Sequence, residues 1–81
     1  MNFIEKCEDF LCRLYDHVDG DVSRIVTGDT AAKEWGYTVD ECRSIAGYLE
    51  EKELIKRRPV IGGVGGIQIT AEGIDYAIAN C

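Results

Sequence analysis

VTGDTAAKEWGYTVDECRSIAGYLEEKELI, residues 26–55, reads as two helices joined by a tight turn, the second running into a strand. Thr27 stands where an N-cap is needed, because its hydroxyl can accept from an N–H of the first turn that has no partner within the helix. Ala31, Ala32 and Trp35 then give a short helix its apolar face. Small Ala32 permits close helix approach, and Trp35 is expected to supply the largest single buried surface of the chain. Gly36 supplies the sharp turn at Gly36-Tyr37, and Thr38 with Glu41 has the spacing of a reciprocal capping box. From about Val39 to Lys52, Cys42, Ile45, Ala46 and Leu49 recur at helical spacing and define a buried face. The opposite stripe is Asp40, Ser44, Gly47 and Glu51, flanked by Arg43 and Tyr48. What that outward stripe meets is the functional question.

Upstream, Phe3, Cys7, Phe10, Leu11, Leu14 and Val18 form one apolar stripe, which predicts a supporting helix from Phe3 to about Val18. Asn2 and Glu5 are spaced for its capping box, and Gly20 is expected to end it with a positive φ. Cys7 is expected in the core. Cys12 falls on the polar side with Glu5, Asp9 and Asp16, and is expected to face water. Val22 to Val26 suits either a brief edge strand or an extended connector. Downstream, Leu54 to Val60 reads as a strand with Pro59 confined to an edge or strand end, and Ile61 to Gly66 as an uncharged, flexible tip. Ile67-Gln68-Ile69 alternates like a returning strand. Thr70 can cap a last helix, Ala71 to Asn80, with Ile74, Ala77 and Ile78 on its apolar face.

Eighty-one residues, with no internal repeats, make a single domain over 1–81. Nine Lys and Arg against fifteen Asp and Glu give a net charge of −6. Nucleic-acid affinity rests largely on cations meeting phosphates, so this balance argues against tight non-specific binding without excluding a local basic face. Cys7, Cys12, Cys42 and Cys81 contain no Cys-x-x-Cys pair, and His17 is the only histidine, so zinc-site spacing is absent. No signal peptide is legible in MNFIEKCEDF, and no stretch is long enough to span a bilayer. The simplest expectation is a reduced, cytoplasmic protein whose exposed Cys12 and Cys81 are inert thiols, an intermolecular disulfide or an oxidant sensor being the alternatives.

The order of these elements resembles the winged helix-turn-helix superfamily. The resemblance spans Phe3 to Ile78 and rests on Val26-Thr27, on Ala32 and Gly36 in AAKEWGYT, and on Thr38-Val39-Asp40-Glu41-Cys42-Arg43 as the start of a recognition helix. Tyr48 to Ile55 is similar to the end of that helix, and ITAEGIDYAI, residues 69–78, to the junction after the wing. It implies an α+β, mainly α fold: a three-helix core, a two- or three-stranded β-wing and a short C-terminal helix. It also implies a transcriptional regulator that binds double-stranded DNA as a homodimer, with no cofactor and no enzymatic activity. Two features depart from the pattern. Glu53 stands where the family usually has glycine, at a cost of roughly 1 kcal/mol if the backbone is left-handed there. The wing tip also lacks the Arg and Lys that many DNA-binding members carry.

On this reading helix 39–52 enters the major groove, with Thr38, Arg43, Ser44 and Gly47 on the approaching side. Arg43 is the one strong candidate for a bidentate guanine contact, and Gly47 would let a backbone come close. Lys56, Arg57 and Arg58 on strand 54–60, helped by Lys33, would hold phosphates. Strand alternation sets Lys56 and Arg58 on one side and Arg57 on the other. The competing account is a solvated face, since Asp40 and Glu51 on the same stripe repel phosphates and the cations can pair with surface carboxylates. Ile74 and Ile78, with the flanks of the first helix, are the expected dimer surface. The rival function is a protein-interaction module without DNA, whose partner carries a basic patch. GGVGG lacks the following Lys-Ser or Lys-Thr of a phosphate loop, Asp19-Gly20-Asp21 is too short for an EF-hand, and no catalytic constellation is visible.

Overall fold

In the computed structural model, which describes residues 2–58 and 65–81, the chain runs α1 (Phe3–Val18), β1 (Ile25–Thr27), α2 (Gly28–Trp35), α3 (Val39–Glu51), β2 (Ile55–Arg58), β3 (Gly66–Ile69) and α4 (Ala71–Asn80). This is an α+β fold, mainly helical, with one three-stranded antiparallel sheet in the order β1-β3-β2. Val22 to Val26 thus resolves toward an edge strand at its end: Ile25 pairs with Gln68, Val26 with Ile67 and Thr27 with Gly66. On the other side of β3, Ile55 pairs with Ile69 and Lys56 with Gln68. The expected features at Pro59 and across the tip, 61–64, lie outside the described residues.

The helix starts are fixed by local chemistry. The Thr38 hydroxyl accepts from Glu41 N at 3.1 Å while Glu41 Oε1 accepts from Thr38 N at 3.1 Å, the expected reciprocal box. The Thr27 and Thr70 hydroxyls accept from Thr30 N and Gly73 N. At Asn2 only half of the expected box is present, the side chain accepting from Glu5 N. The end of α1 differs too. Asp19 takes the left-handed conformation at φ 52° one residue before Gly20 follows at 78°. Gly36 at φ 78° makes the turn between α2 and α3.

The core sits between the three N-terminal helices and one face of the sheet. Phe10, Leu11 and Leu14 of α1 meet Cys42, Ile45 and Leu49 of α3 and Ile55, Ile67 and Ile69 of the sheet, all buried. Trp35 does not have the expected role. It is only partly buried and packs edge-on against the fully buried Phe10, ring centroids 5.1 Å apart, so Phe10 carries the aromatic centre. α2 is short and lies at the rim, which leaves the indole partly exposed.

α4 closes the fold against α1. Its first turn approaches the end of β3 and the residue before β2 so tightly that a Cβ on Gly73 would lie 2.9 Å from Ile69 Cγ1 and 3.1 Å from the Leu54 carbonyl carbon. At its far end Cys81 is bonded to Cys12, with Cα atoms 5.9 Å apart across 69 residues. The expectation of free thiols at both positions is therefore corrected, as is that of an intermolecular bridge. The polar side of α1 that carries Cys12 is the side that receives α4, so Cys12 is partly covered rather than solvated. Cys7 and Cys42 are the free cysteines among the described residues; both are buried, and burial pushes both thiols up.

Candidate functional site

The candidate surface is built on α3, and three contacts hold that helix in place. Lys6 Nζ donates to Glu41 Oε2 at 2.9 Å, tying the first turn of α3 to α1 and holding the Glu41 carboxyl below its usual range. Tyr37, in the turn, donates its hydroxyl to Asp9 Oδ2, and Arg13 Nε reaches the same oxygen at 2.9 Å. At the far end the backbone N–H of Arg57 donates to Glu50 Oε2 at 3.3 Å, tying β2 to α3 and capping an outward N–H of an edge strand. None of these three links was read from the sequence. Each joins residues on different elements, where no periodicity or local spacing reports the pairing.

Thr38, Arg43 and Ser44 are exposed and Gly47 is half-buried, so the outward stripe lies where its spacing set it. A Cβ at Gly47 would meet nothing within 4 Å. The glycine therefore answers no packing need inside the fold, although in mid-helix it is about 0.5–1 kcal/mol less favourable than alanine. Ser44 shares a surface hollow with Phe3, Lys6, Asp40 and Glu41, so its side of the stripe leans toward α1. Phe3 packs edge-on against Tyr48, with ring centroids 5.6 Å apart.

The three consecutive cations of β2 have different surroundings. Lys56 lines a cleft with Glu50, Glu53 and Glu72, an environment that competes with any phosphate. Arg58 donates from Nε to Gln68 Oε1 at 2.9 Å, and Gln68 in turn donates from Nε2 to the Val22 carbonyl at 2.6 Å. That relay fixes the Arg58 side chain at the sheet's outer face. Arg57 is exposed on the opposite side of the strand, beside Glu50. Lys33 is exposed on α2.

The distribution of charge over the chain is uneven. Ion pairs among the described residues engage Lys6 and Arg13, both on α1, and His17 Nδ1 stands 3.9 Å from Glu34 Oε2. Arg24, Lys33, Arg43, Lys52, Lys56, Arg57 and Arg58 have no ion-pair partner among the described residues, and Arg24 instead donates to the His17 carbonyl at 3.2 Å. Residues 33–58 hold six Lys and Arg against six Asp and Glu, so the whole net charge of −6 belongs to the rest of the chain. Ile74 is half-buried against the core, and Ile78 is 63% exposed. No cluster of three or more metal-ligating side chains occurs among the described residues, and no helix there is long and apolar enough to cross a membrane.

Comparison with protein-family models, with curated proteins and with solved structures finds no match to this chain. The functional reading therefore rests on the geometry itself.

Proposed function

We propose that this chain is a winged helix-turn-helix protein that binds double-stranded DNA in the cytoplasm, with α3 in the major groove and Arg57 and Arg58 of β2 on the neighbouring backbone. The observation that carries the proposal is the segregation of charge. Of the seven Lys and Arg without an ion-pair partner among the described residues, all but Arg24 fall on α2, α3 and their flanking segment into β2, while the excess of carboxylates lies elsewhere. Such a distribution gives a charge-balanced segment on an acidic protein, and repulsion from the remaining surface suppresses contact in other orientations. The element order, with two hairpin strands after α3 and β1 completing their sheet, agrees with the architecture that the resemblance implies. The close-approach position at Gly47 and the exposed Arg43 one turn earlier supply the groove contact. Exposed Ile78 on α4 is the proposed centre of a homodimer contact, which would link two modest recognition surfaces.

Selection from random-sequence DNA at low salt, followed by mobility shift, tests the reading. Arg43→Ala should relax preference at one base and cost about 1–3 kcal/mol on the selected site. Arg58→Ala should weaken all sequences alike and lower the salt slope by about one. No salt-sensitive binding to any selected DNA would reject the proposal. The second reading, a protein-interaction module, is favoured by one observation: Glu50, Glu53 and Glu72 converge around Lys56, a cleft suited to a basic partner. Charge reversal at Glu53 and Glu72 would abolish that binding and leave or strengthen DNA binding.

A further inference from the structure

We propose that Cys12–Cys81 is a thiol–disulfide exchange site whose reduction by a dithiol releases the outer half of α4 and opens the cleft beneath it. The inference rests on the DNA-binding reading in one respect: DNA lies in reducing compartments, where a disulfide is ordinarily transient or redox-sensing rather than a permanent staple. Its geometric basis is independent of that reading.

The two ends of α4 are held differently. At its start the Thr70 N–H donates to the Leu54 carbonyl at 3.1 Å, the Thr70 hydroxyl donates to the Glu53 carbonyl at 2.8 Å, and Gly73 sits against Leu54. Toward its far end the tertiary ties are the buried methyl of Ala77, the Tyr76 ring partly buried against the core with its hydroxyl donating to Glu8 Oε1 at 3.0 Å, and the bridge itself. Ile78 and Ala79 are exposed, and no basic side chain stands in the last turn to complement the helix dipole. Without the bridge the anchored first turn becomes a hinge and the outer half is left to Ala77, the partly buried Tyr76 ring and one partly solvated hydrogen bond.

Chemical access follows the same asymmetry. Cys81 is exposed and Cys12 partly so, whereas Cys7 and Cys42 are buried and cannot compete in exchange. A reductant thiolate attacks Cys81 Sγ, the S–S bond breaks, and its electron pair leaves on Cys12 Sγ, which takes a proton from water. The reductant's second thiolate then attacks its own bonded sulfur and expels Cys81 as a thiolate. Two electrons pass from the dithiol to the protein, leaving two protein thiols and an oxidised reductant.

The cleft that this movement opens has a volume of about 290 Å3 and is lined by Ile4, Cys7, Glu8, Tyr48, Leu54 and Tyr76 among others. Tyr76 forms its α4 wall, so Cys7 is the internal reporter. Cys42, on the first turns of α3, reports instead on opening of the core.

The test is iodoacetamide labelling of the full chain, read residue by residue by mass spectrometry, for the oxidised protein and for the double variant Cys12→Ser, Cys81→Ser, with hydrogen exchange of 71–80 in parallel. Removing the bridge should speed Cys7 labelling and exchange of Tyr76 to Asn80 by roughly tenfold or more, with Cys42 still protected. In the wild type, dithiothreitol without denaturant should give the same pattern, and reoxidation should reverse it. Equal protection of Cys7 with and without the bridge would overturn the proposal. So would simultaneous labelling of Cys7 and Cys42, which marks a bridge needed for the whole fold, or a bridge that dithiothreitol does not reduce. No arm of the experiment contains DNA, so its failure is distinct from failure of the DNA-binding reading.

Discussion

Glu53, just past the C-cap of α3, has its backbone at φ 63°, a conformation that costs a residue bearing a Cβ roughly 1–2 kcal/mol. The turn requires it, because the next residue, Leu54, donates its N–H to the Leu49 carbonyl at 3.0 Å and so closes the helix end. The Glu53 side chain is exposed, and its carbonyl accepts from Thr70, a bond that glycine would keep. Glu53→Gly should therefore stabilise the domain by about 0.5–1 kcal/mol after the extra entropy of an unfolded glycine, read as a rise of a few degrees in Tm. Tyr37 and Asp9 make a second residue-scale prediction. Burial, then the hydrogen bond to Asp9, pushes the Tyr37 hydroxyl well above its ordinary value. Burial works to raise Asp9 as well, but the hydrogen bonds from Tyr37 and Arg13 outweigh it and hold that carboxyl below its usual range. The signs are opposite. The Tyr37 contribution is complete below a pH of about 10 and is lost as pH rises toward the raised folded value, while that of Asp9 is present above about 4 and is lost as pH falls through the lowered one. Tyr37→Phe should cost about 1–2 kcal/mol at neutral pH, and should flatten the fall in stability above a pH of about 10 in urea titrations.

Among the elements, α3 was the most legible in the sequence; α4 was legible in its cap and bounds, Thr70 and Ala71 to Asn80, but not in how it is held. The start of α3 depends on Thr38 and Glu41, three residues apart, and its buried face on Cys42, Ile45, Ala46 and Leu49, so both are written at short range. The same holds for the exposed placement of Arg43 and Ser44. The role of α4 depends on Cys81 meeting Cys12 across 69 residues and on Gly73 meeting Leu54, which no local spacing encodes. Trp35 shows the same limit from the other side: its size points to the largest single buried surface, but the rim position of α2 leaves it only partly buried. The site divided likewise. The stripe on α3 followed from period, whereas the separation of Lys56, among three glutamates, from Arg58, held by Gln68, followed from packing. Gly47 tests what the stripe is for. Gly47→Ala meets open space, so it should stabilise α3 by about 0.5–1 kcal/mol in denaturant unfolding. If a DNA backbone approaches there, the more stable variant should nonetheless bind its selected site less tightly. A gain in stability with unchanged binding would remove Gly47 from the interface.

For the whole molecule, the charge distribution and the disulfide act on different quantities. An acidic remainder beside a balanced α2–α3–β2 face governs how the protein meets a partner. The bridge governs how much the fold can spare. Closing 69 residues into a loop removes unfolded-state entropy equivalent to about 4 kcal/mol on the chain-entropy account. A domain of 81 residues has a total stability of about 4–12 kcal/mol at the usual value per residue, so the bridge is a large share of the margin. The core is complete without it: Phe10, Leu11, Leu14, Ile45, Ile55 and Ile69 are all buried, and the bridge joins two elements at their outer side. Reduction should accordingly lower the midpoint of guanidinium unfolding by an amount equal to roughly 3–4 kcal/mol. The transition should stay cooperative, and Cys12→Ser alone should match the reduced wild type. A much smaller loss would mean that the unfolded chain already brings α1 and α4 together, since residual structure there is what the entropy account leaves out. Measuring the slope of the transition in both states separates the two cases. A more compact unfolded state lowers the slope, whereas a simple loss of stability shifts the midpoint alone.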